Sequence, residues 1–234
     1  MTTLLLGGQI DIVWAVLLYL AWNVQMGLHE GGHAIIADRL GDPIPRAFGK
    51  VTINPYKHIE WDNSSYVISA VVLPAATALT MGVPLGMAWV MISGNHSTKN
   101  HAKIAIAGPV GSFLAGLIGI VLFFLLYPLI YMGTDSQSVF QIQTFAAQCC
   151  LALVVTSAFY GAFNLVPIPP LDGSNVLYHF MNREGRDFMD KIRPYGFFII
   201  IALFWIGNGG KYVVTPVIQA SADLMNWLPQ QVWG

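Results

Sequence analysis

The sequence predicts an all-α polytopic membrane protein with about four transmembrane helices. Of its 234 residues, 55% are hydrophobic and only 10% are charged, whereas an average soluble domain has about 25% charged residues. So few charges cannot cover a globule of this size with solvated side chains, which excludes a soluble enzyme and a disordered chain. The net charge of −1 also offers no basic surface for a nucleic acid.

Four stretches of the chain have the roughly 20 mainly apolar residues that a transmembrane helix needs. They are residues about 9–28, 104–132, 145–168 and 195–217. A fifth stretch, about 64–92, is long enough but is interrupted by Pro74, Gly82, Pro84 and Gly86. We expect one membrane-embedded domain, 1–234.

Two smaller elements complete the predicted fold. Near 47–55, Phe48, Val51 and Ile53 recur in an extended pattern, which predicts a short β-hairpin-like element whose edge could pair with a peptide. The tail, 216–234, mixes polar and apolar residues. It either lies along the membrane interface or docks on a partner, and the sequence leaves both alternatives open.

The positions of Lys and Arg predict the orientation of the spans. Basic residues occur in the loops 39–63, 93–103 and 169–193, whereas 133–144 has none. If the basic loops are cytoplasmic, the stretch 64–92 must enter and leave on the same side, as a re-entrant or hairpin segment. Broken backbone at membrane depth is tolerated where it is buried in protein or lines a wet cavity, so a cavity on the cytoplasmic side is expected.

The first predicted span ends in a cluster of ionisable residues, His29-Glu30-Gly31-Gly32-His33. Ionisable groups in a membrane are costly and usually functional. Residues four apart share one face of a helix, so the two histidines can share one zinc ion. Glu30 lies beside that face, where it could act as the general base of a metalloprotease. The alternative is that the histidines cap helix carbonyls or lie among the lipid headgroups.

The two glycines of this cluster are unfavourable within a helix, so their presence needs an explanation. Each weakens a helix by about 1 kcal/mol relative to alanine. We therefore expect another backbone or a substrate to come close to Gly31 and Gly32.

A third zinc ligand is expected at Asp172, because catalytic zinc takes three protein ligands and keeps one open position. Asp172 follows a segment with three prolines in four positions, 167–170, which cannot continue the helix 145–168. By the predicted topology this segment lies on the same side of the membrane as His29 and His33. Taken alone, Asp172-Gly173 is also a typical turn.

These residues together resemble the site-2 protease family of intramembrane zinc metalloproteases. The resemblance covers most of the chain. His29 to His33 corresponds to the first catalytic motif, Thr52 to Ile59 to the stretch that follows it, Ala107-Gly108-Pro109 to the start of the next span, and Asn164 to Gly173 to the second catalytic motif. No stretch has the length of an inserted peptide-binding (PDZ) or nucleotide-sensing (CBS) domain, so a minimal membrane core is expected.

The resemblance implies that His29, His33 and Asp172 bind one zinc ion and that Glu30 activates the attacking water. Where the family usually has an asparagine thought to contact substrate, this chain has Ser112. The stretch 86–93 also lacks the lysine and proline that are usual there. Asn164 could hydrogen-bond an extended substrate, or satisfy carbonyls that the prolines leave free.

Other ionisable or reactive residues are expected to be structural. Cys149 and Cys150 are adjacent in an apolar span and suit core packing. His58 follows a lysine in a basic loop and suits a surface or structural role. His96 and His101 suit the membrane interface.

The expected function is that of an intramembrane zinc endopeptidase that acts in or near transmembrane segments of membrane proteins, as in regulated intramembrane proteolysis. We expect it in a prokaryotic cell membrane, with the active site toward the cytoplasm. The alternative is a catalytically silent protein with the protease fold that serves, with partner subunits, as a structural or assembly component of a membrane complex. A small transporter is disfavoured, because the polar cluster lies at one depth.

Overall fold

The computed structural model describes residues 11–88, 90–131, 137–205, 212 and 215–233. Within these residues the chain forms eight helices of nine or more residues. They are α1 (Ile12–Arg39), α2 (Ser64–Met81), α3 (Thr98–Tyr131), α4 (Gln137–Asn164), α5 (Asp172–Phe180), α6 (Arg183–Ile192), α7 (Gly196–Trp205) and α8 (Thr215–Trp233).

The predicted all-α membrane architecture is confirmed. Helices α1 to α4 are each long and apolar enough to cross a membrane. Helix α1 continues to Arg39, well beyond the predicted end at 28, so the ionisable cluster lies within the helix and not at its end. Helix α7 begins the predicted span 195–217, of which residues 206–211 and 213–214 lie outside the described residues.

The stretch 64–92 is a hairpin with one helical and one extended arm. Helix α2 ends at Gly82, whose φ of 68° is left-handed, and the chain then returns along the same helix. The Leu85 N–H donates to Thr77 Oγ1 (2.6 Å) and the Met87 N–H donates to the Ser69 carbonyl (3.0 Å), so the two arms run antiparallel. The predicted hairpin is therefore present, and its break lies at Gly82.

The prediction of a β-hairpin-like element at 47–55 is wrong. All of these residues are described by the structure, and none of them forms a strand. One helical turn, Ile44–Ala47, is followed by Gly49, which has a left-handed φ of 64°. The Lys50 N–H then bonds back to the Pro45 carbonyl (2.8 Å). The residues that follow lie against α1, and none of the described residues forms a strand with which they could pair.

Helices α1, α3 and α4 pack against one another and form the core. Cys150 lies in this core and Cys149 packs against its edge, as predicted. The buried residues of the main cluster come from α1, α3, α4 and α8: Trp14, Leu17, Leu18, Ala21, Phe123, Cys150, Leu151, Ala152, Val154, Val155 and Met225.

Glycines bring the neighbours of α1 unusually close, as expected for Gly31 and Gly32. A β-carbon on Gly31 would lie 2.7 Å from the Thr52 carbonyl oxygen, and one on Gly32 would collide with the Ala107 carbonyl of α3. Small residues allow two helix backbones to approach in this way. This close crossing presents one stripe of α3 directly to the histidine face of α1.

Candidate metal centre

Helix α1 carries two histidines that face the same point. His29 and His33 are 6% and 7% exposed, and their ring centroids are 4.8 Å apart. Their Nε2 atoms are 3.2 Å apart, which follows from the four-residue spacing on one helix face. The two imidazoles therefore converge, as the sequence predicts.

Asp172 joins the two histidines from a distant part of the chain. Helix α4 ends at Asn164, and the proline-rich turn leads to Asp172 at the first residue of α5. One carboxylate oxygen, Oδ2, is 3.1 Å from His29 Nε2 and 3.3 Å from His33 Nε2. Gly173 supports this turn, because a β-carbon there would collide with the Leu165 carbonyl.

The outer nitrogen of each imidazole is held by α3. His33 Nδ1 lies 2.7 Å from the Ile104 carbonyl, which can only accept a hydrogen bond. His33 Nδ1 therefore carries the proton, and Nε2 of the neutral ring presents a lone pair to the centre. His29 Nδ1 lies 2.8 Å from the Ser112 hydroxyl.

The three converging atoms fit a tetrahedral metal site. Their separations of 3.1, 3.2 and 3.3 Å agree with the spacing of about 3.3 Å between donors bound 2.0–2.1 Å from a tetrahedral zinc ion. Asp172 Oδ2 is buried, and no hydrogen-bond donor among the described residues pairs with it; an orphaned buried carboxylate oxygen is costly. A cation between the three atoms would satisfy all of them and would leave a fourth position open.

Glu30 lies next to this centre, on the wall of the same cavity. The cavity has a volume of about 660 Å³ and is lined by both histidines, Glu30 and Asp172. The returning arm of the hairpin forms part of the wall, and the Val90 N–H bonds to the Glu30 carboxylate. Glu30 is 6% exposed, so a buried carboxylate faces the cavity without belonging to the ligand triangle.

The two predicted substrate-binding residues have different surroundings. Asn164 lines the cavity, and its amide donates to the Tyr160 carbonyl one turn back along α4 (3.1 Å). Ser112 is fully buried, and its hydroxyl contacts His29 Nδ1 and Gln25 Oε1. Ser112 therefore bonds to His29 of the candidate metal centre and is not among the residues that line the cavity.

Sequence reasoning did not single out Gln25 or assign a purpose to Gly108. Gln25 lies one turn before His29 on α1 and is 1% exposed. Gly108 lies against both imidazoles, so that a β-carbon there would collide with His33 and come within 2.7 Å of His29 Nε2. For Gln25, the signal in the sequence was a polar residue within the apolar stretch of the first predicted span. For Gly108, nothing in the surrounding sequence predicted that it would lie against the two imidazoles.

A helical membrane core with a buried His-His-Asp set, and a glutamate on the histidine helix, defines the class of membrane metallopeptidases. The chain belongs to peptidase family M50, the site-2 protease family, whose sequence model matches residues 17–207. The family resemblance of the motifs is thus confirmed.

Curated relatives have names consistent with this family. The chain is 29% identical to "Putative zinc metalloprotease YwhC" of Bacillus subtilis, over 86% of this chain and 84% of the relative. It is 27% identical to "Putative zinc metalloprotease Rip2" of Mycolicibacterium smegmatis, over 80% of this chain and 66% of the relative. No solved structure matches the chain significantly.

Proposed function

We propose that this protein is an intramembrane zinc endopeptidase that hydrolyses peptide bonds in or near the transmembrane segments of membrane proteins. The observation that carries the proposal is the buried triangle of His29, His33 and Asp172, with Glu30 beside it. This set lies among helices apolar enough to cross a membrane. Cleavage of such a substrate would be a step of regulated intramembrane proteolysis.

The proposed ligands of one zinc ion per chain are the Nε2 atoms of His29 and His33 and the Oδ2 atom of Asp172. Bound zinc lowers the pKa of a water molecule and polarises a carbonyl group. The zinc metalloprotease names of the bacterial relatives support the choice of metal. The two imidazoles and one carboxylate also suit zinc chemically.

Glu30 is the proposed general base. Its carboxylate accepts a proton from the attacking water as the new C–O bond forms at the substrate carbonyl. When the C–N bond breaks, Glu30 returns that proton to the leaving amine, so one water is consumed and one peptide bond is cleaved. The Val90 N–H keeps the carboxylate directed into the cavity through its hydrogen bond.

The cavity favours an unwound, apolar stretch of substrate. Met26, Leu85, Val90 and Ile92 are among its apolar lining residues, and a helical substrate hides the scissile bond within its own hydrogen bonds. Asn164 is the proposed polar contact, because an amide group has two N–H donors and one hydrogen bond to the Tyr160 carbonyl uses one of them.

The proposed location is a prokaryotic cell membrane, with the active site toward the cytoplasm. The basic loops 39–63, 93–103 and 169–193 support this orientation, and the bacterial relatives support the location. The alternative, a catalytically silent assembly subunit, is not favoured. Such a protein needs neither a buried glutamate beside a metal site nor an orphaned carboxylate oxygen.

The test is the metal content of the protein purified in detergent after growth with zinc. We expect about one zinc per wild-type chain, none in the double variant His29→Ala/His33→Ala, and weakened retention in Asp172→Ala. Absence of zinc from a folded wild type would overturn the proposal.

Glu30→Gln separates catalysis from metal binding. This variant should keep its zinc and lose cleavage of a single-pass membrane protein reconstituted with it in liposomes, with products identified by mass spectrometry. Retained cleavage would overturn the assignment of Glu30 as the base.

A further inference from the structure

Three buried polar side chains form a chain of contacts from Gln25, which lines the cavity, through Ser112 to His29 of the candidate metal centre. Gln25 Oε1 is 2.7 Å from Ser112 Oγ, and Ser112 Oγ is 2.8 Å from His29 Nδ1. Gln25 is 1% exposed and Ser112 is fully buried. Burial of polar groups in an apolar core is costly unless they are hydrogen-bonded, and these contacts pair the Gln25 side-chain oxygen and the Ser112 hydroxyl.

The direction of each hydrogen bond follows from the chemistry of the groups. The Gln25 Oε1 atom can only accept, so the single hydroxyl proton of Ser112 is donated to it. The Ser112 oxygen then has only lone pairs to offer to His29. His29 Nδ1 must therefore carry the ring proton, and Nε2 of the neutral ring is left with its lone pair facing His33 and Asp172.

The same stripe of α3 holds both histidines, but by different means. Ile104, Gly108 and Ser112 are spaced four residues apart and so share one helix face. Ile104 holds His33 through its main-chain carbonyl, Gly108 leaves room for both rings, and Ser112 holds His29 through its side chain. The bond to His33 uses a main-chain carbonyl, which any residue at position 104 would provide. The bond to His29 needs the Ser112 side chain.

We infer that Gln25 and Ser112 are positioning residues that fix the tautomer and orientation of His29 for metal binding. The inference rests on the proposed function, because it takes His29 as a zinc ligand. It assigns a role to Gln25 and gives Ser112 a task different from substrate contact. Partners of this kind, behind a metal ligand, typically change metal affinity by 10- to 100-fold when removed.

The experiment measures zinc affinity by competition with a chromogenic chelator, on wild type, Ser112→Ala and Gln25→Leu. Ser112→Ala removes the acceptor for His29 Nδ1 and should weaken zinc binding by about 10- to 100-fold. Gln25→Leu frees the Ser112 proton to point at His29, which favours the tautomer with a proton on Nε2. This variant should therefore weaken zinc binding to a similar extent, although the Gln25 side-chain oxygen bonds to Ser112 and not to a proposed metal ligand.

Ser157→Ala is the matched control. Ser157 is as buried as Ser112, lies in α4, and its hydroxyl has no hydrogen-bond partner among the described residues. The same loss of one oxygen there should leave zinc affinity unchanged. Ser112→Thr keeps the hydroxyl and should recover most of the affinity, which separates the hydrogen bond from packing.

The double variant Gln25→Leu/Ser112→Ala tests whether the two residues act in series. If Gln25 acts only through Ser112, the double variant should bind zinc no more weakly than Ser112→Ala, whereas independent effects would add. The absorption spectrum of the cobalt-substituted protein gives a second readout, because the intensity of the cobalt bands reports on distortion of the ligand set.

The outcomes separate the inference from the proposed function. A folded wild type that binds no zinc would overturn both. A wild type that binds zinc, with Ser112→Ala and Gln25→Leu binding equally tightly, would overturn only the roles assigned to Gln25 and Ser112. Weakened binding in both variants with an unaffected Ser157→Ala supports the inference.

Discussion

Gly108 lies so close to His33 that a β-carbon at residue 108 would overlap the imidazole ring. The ring cannot swing aside freely, because its Nδ1 atom bonds to the Ile104 carbonyl (2.7 Å). The same added carbon would stand 2.7 Å from His29 Nε2. The missing side chain at residue 108 therefore leaves open the side of both histidines whose Nε2 atoms face Asp172.

The variant Gly108→Ala should reduce zinc affinity at least tenfold, since the methyl group must displace His33 or push α3 away from α1. Chelator competition on the purified protein measures this effect. Gly116→Ala makes the same change in the same helix, where the nearest atom to the new carbon is Ser157 Cβ at 3.2 Å. Equal zinc affinities for the two variants would show that the tight contact at Gly108 is unimportant for the metal site.

Tyr160 is expected to hold the extended arm of the hairpin against the cavity. Its hydroxyl donates to the Pro84 carbonyl (2.6 Å) and accepts from the Gly86 N–H (3.0 Å). Tyr160→Phe leaves both backbone groups without this partner, at a cost of about 1–3 kcal/mol. If half of that cost reaches the transition state, kcat/KM should fall by roughly 2- to 10-fold, while zinc content stays at the wild-type value.

Thermal unfolding in detergent and the liposome cleavage assay measure the two effects of Tyr160→Phe. Tyr178→Phe is the control, because it removes a tyrosine hydroxyl whose hydrogen bond, to Asp190 Oδ2 (3.0 Å), is exposed and lies outside the hairpin. An unchanged Tm and unchanged kcat/KM in Tyr160→Phe would refute the role of this hydroxyl in holding the hairpin.

The sequence predicts those parts of the molecule that depend on local spacing. The apolar stretches predict the long helices, and the four-residue spacing of His29 and His33 predicts their shared face. Asp172 could be placed near them only through the topology of the loops and the family resemblance. Gln25 contacts Ser112, and Gly108 contacts both histidines, because α1 and α3 cross there. The spacing of residues within one helix does not predict which residues of the other helix they contact.

The incorrect strand at 47–55 has a physical explanation. Alternation predicts a strand when one set of side chains is buried, but Phe48 and Ile53 are 59% and 60% exposed. The ordering of this segment comes from Gly27 and Gly31 on α1, against which the Ile53 and Thr52 carbonyls lie. Main-chain atoms make this contact with α1, so the pattern of apolar side chains in the segment could not predict it.

Metal removal should destabilise the wild-type protein. A ligand that binds only the folded state stabilises it by RT ln(1 + [L]/Kd), which is about 4 kcal/mol at a free concentration 1,000 times Kd. The proposed ligands lie on α1 and at the start of α5, so zinc would join two separate parts of the chain. A strong chelator should therefore lower the Tm of wild type in detergent and leave the Tm of His29→Ala/His33→Ala unchanged. An equal shift in both proteins would indicate an effect of the chelator unrelated to the metal centre.

The stability of the metal-free protein should also depend on His58. This side chain is 1% exposed and its Nε2 bonds to the Thr52 carbonyl (2.9 Å). Burial lowers the pKa of His58 to about 4, and the nearby charge of Lys50 acts in the same direction. The pKa of His58 in the unfolded chain is about 6.5. Between about pH 4 and pH 6.5, His58 therefore binds a proton in the unfolded chain but not in the folded protein.

Stability should therefore be unaffected by His58 above about pH 6.5 and should decrease as the pH falls toward 4. The slope approaches about 1.4 kcal/mol per pH unit, and the total loss is on the order of 3 kcal/mol. His58→Gln removes the titrating group, so its unfolding free energy in detergent should depend less steeply on pH over this window. An equally steep slope in His58→Gln and wild type, both stripped of metal, would show that His58 is not the group responsible.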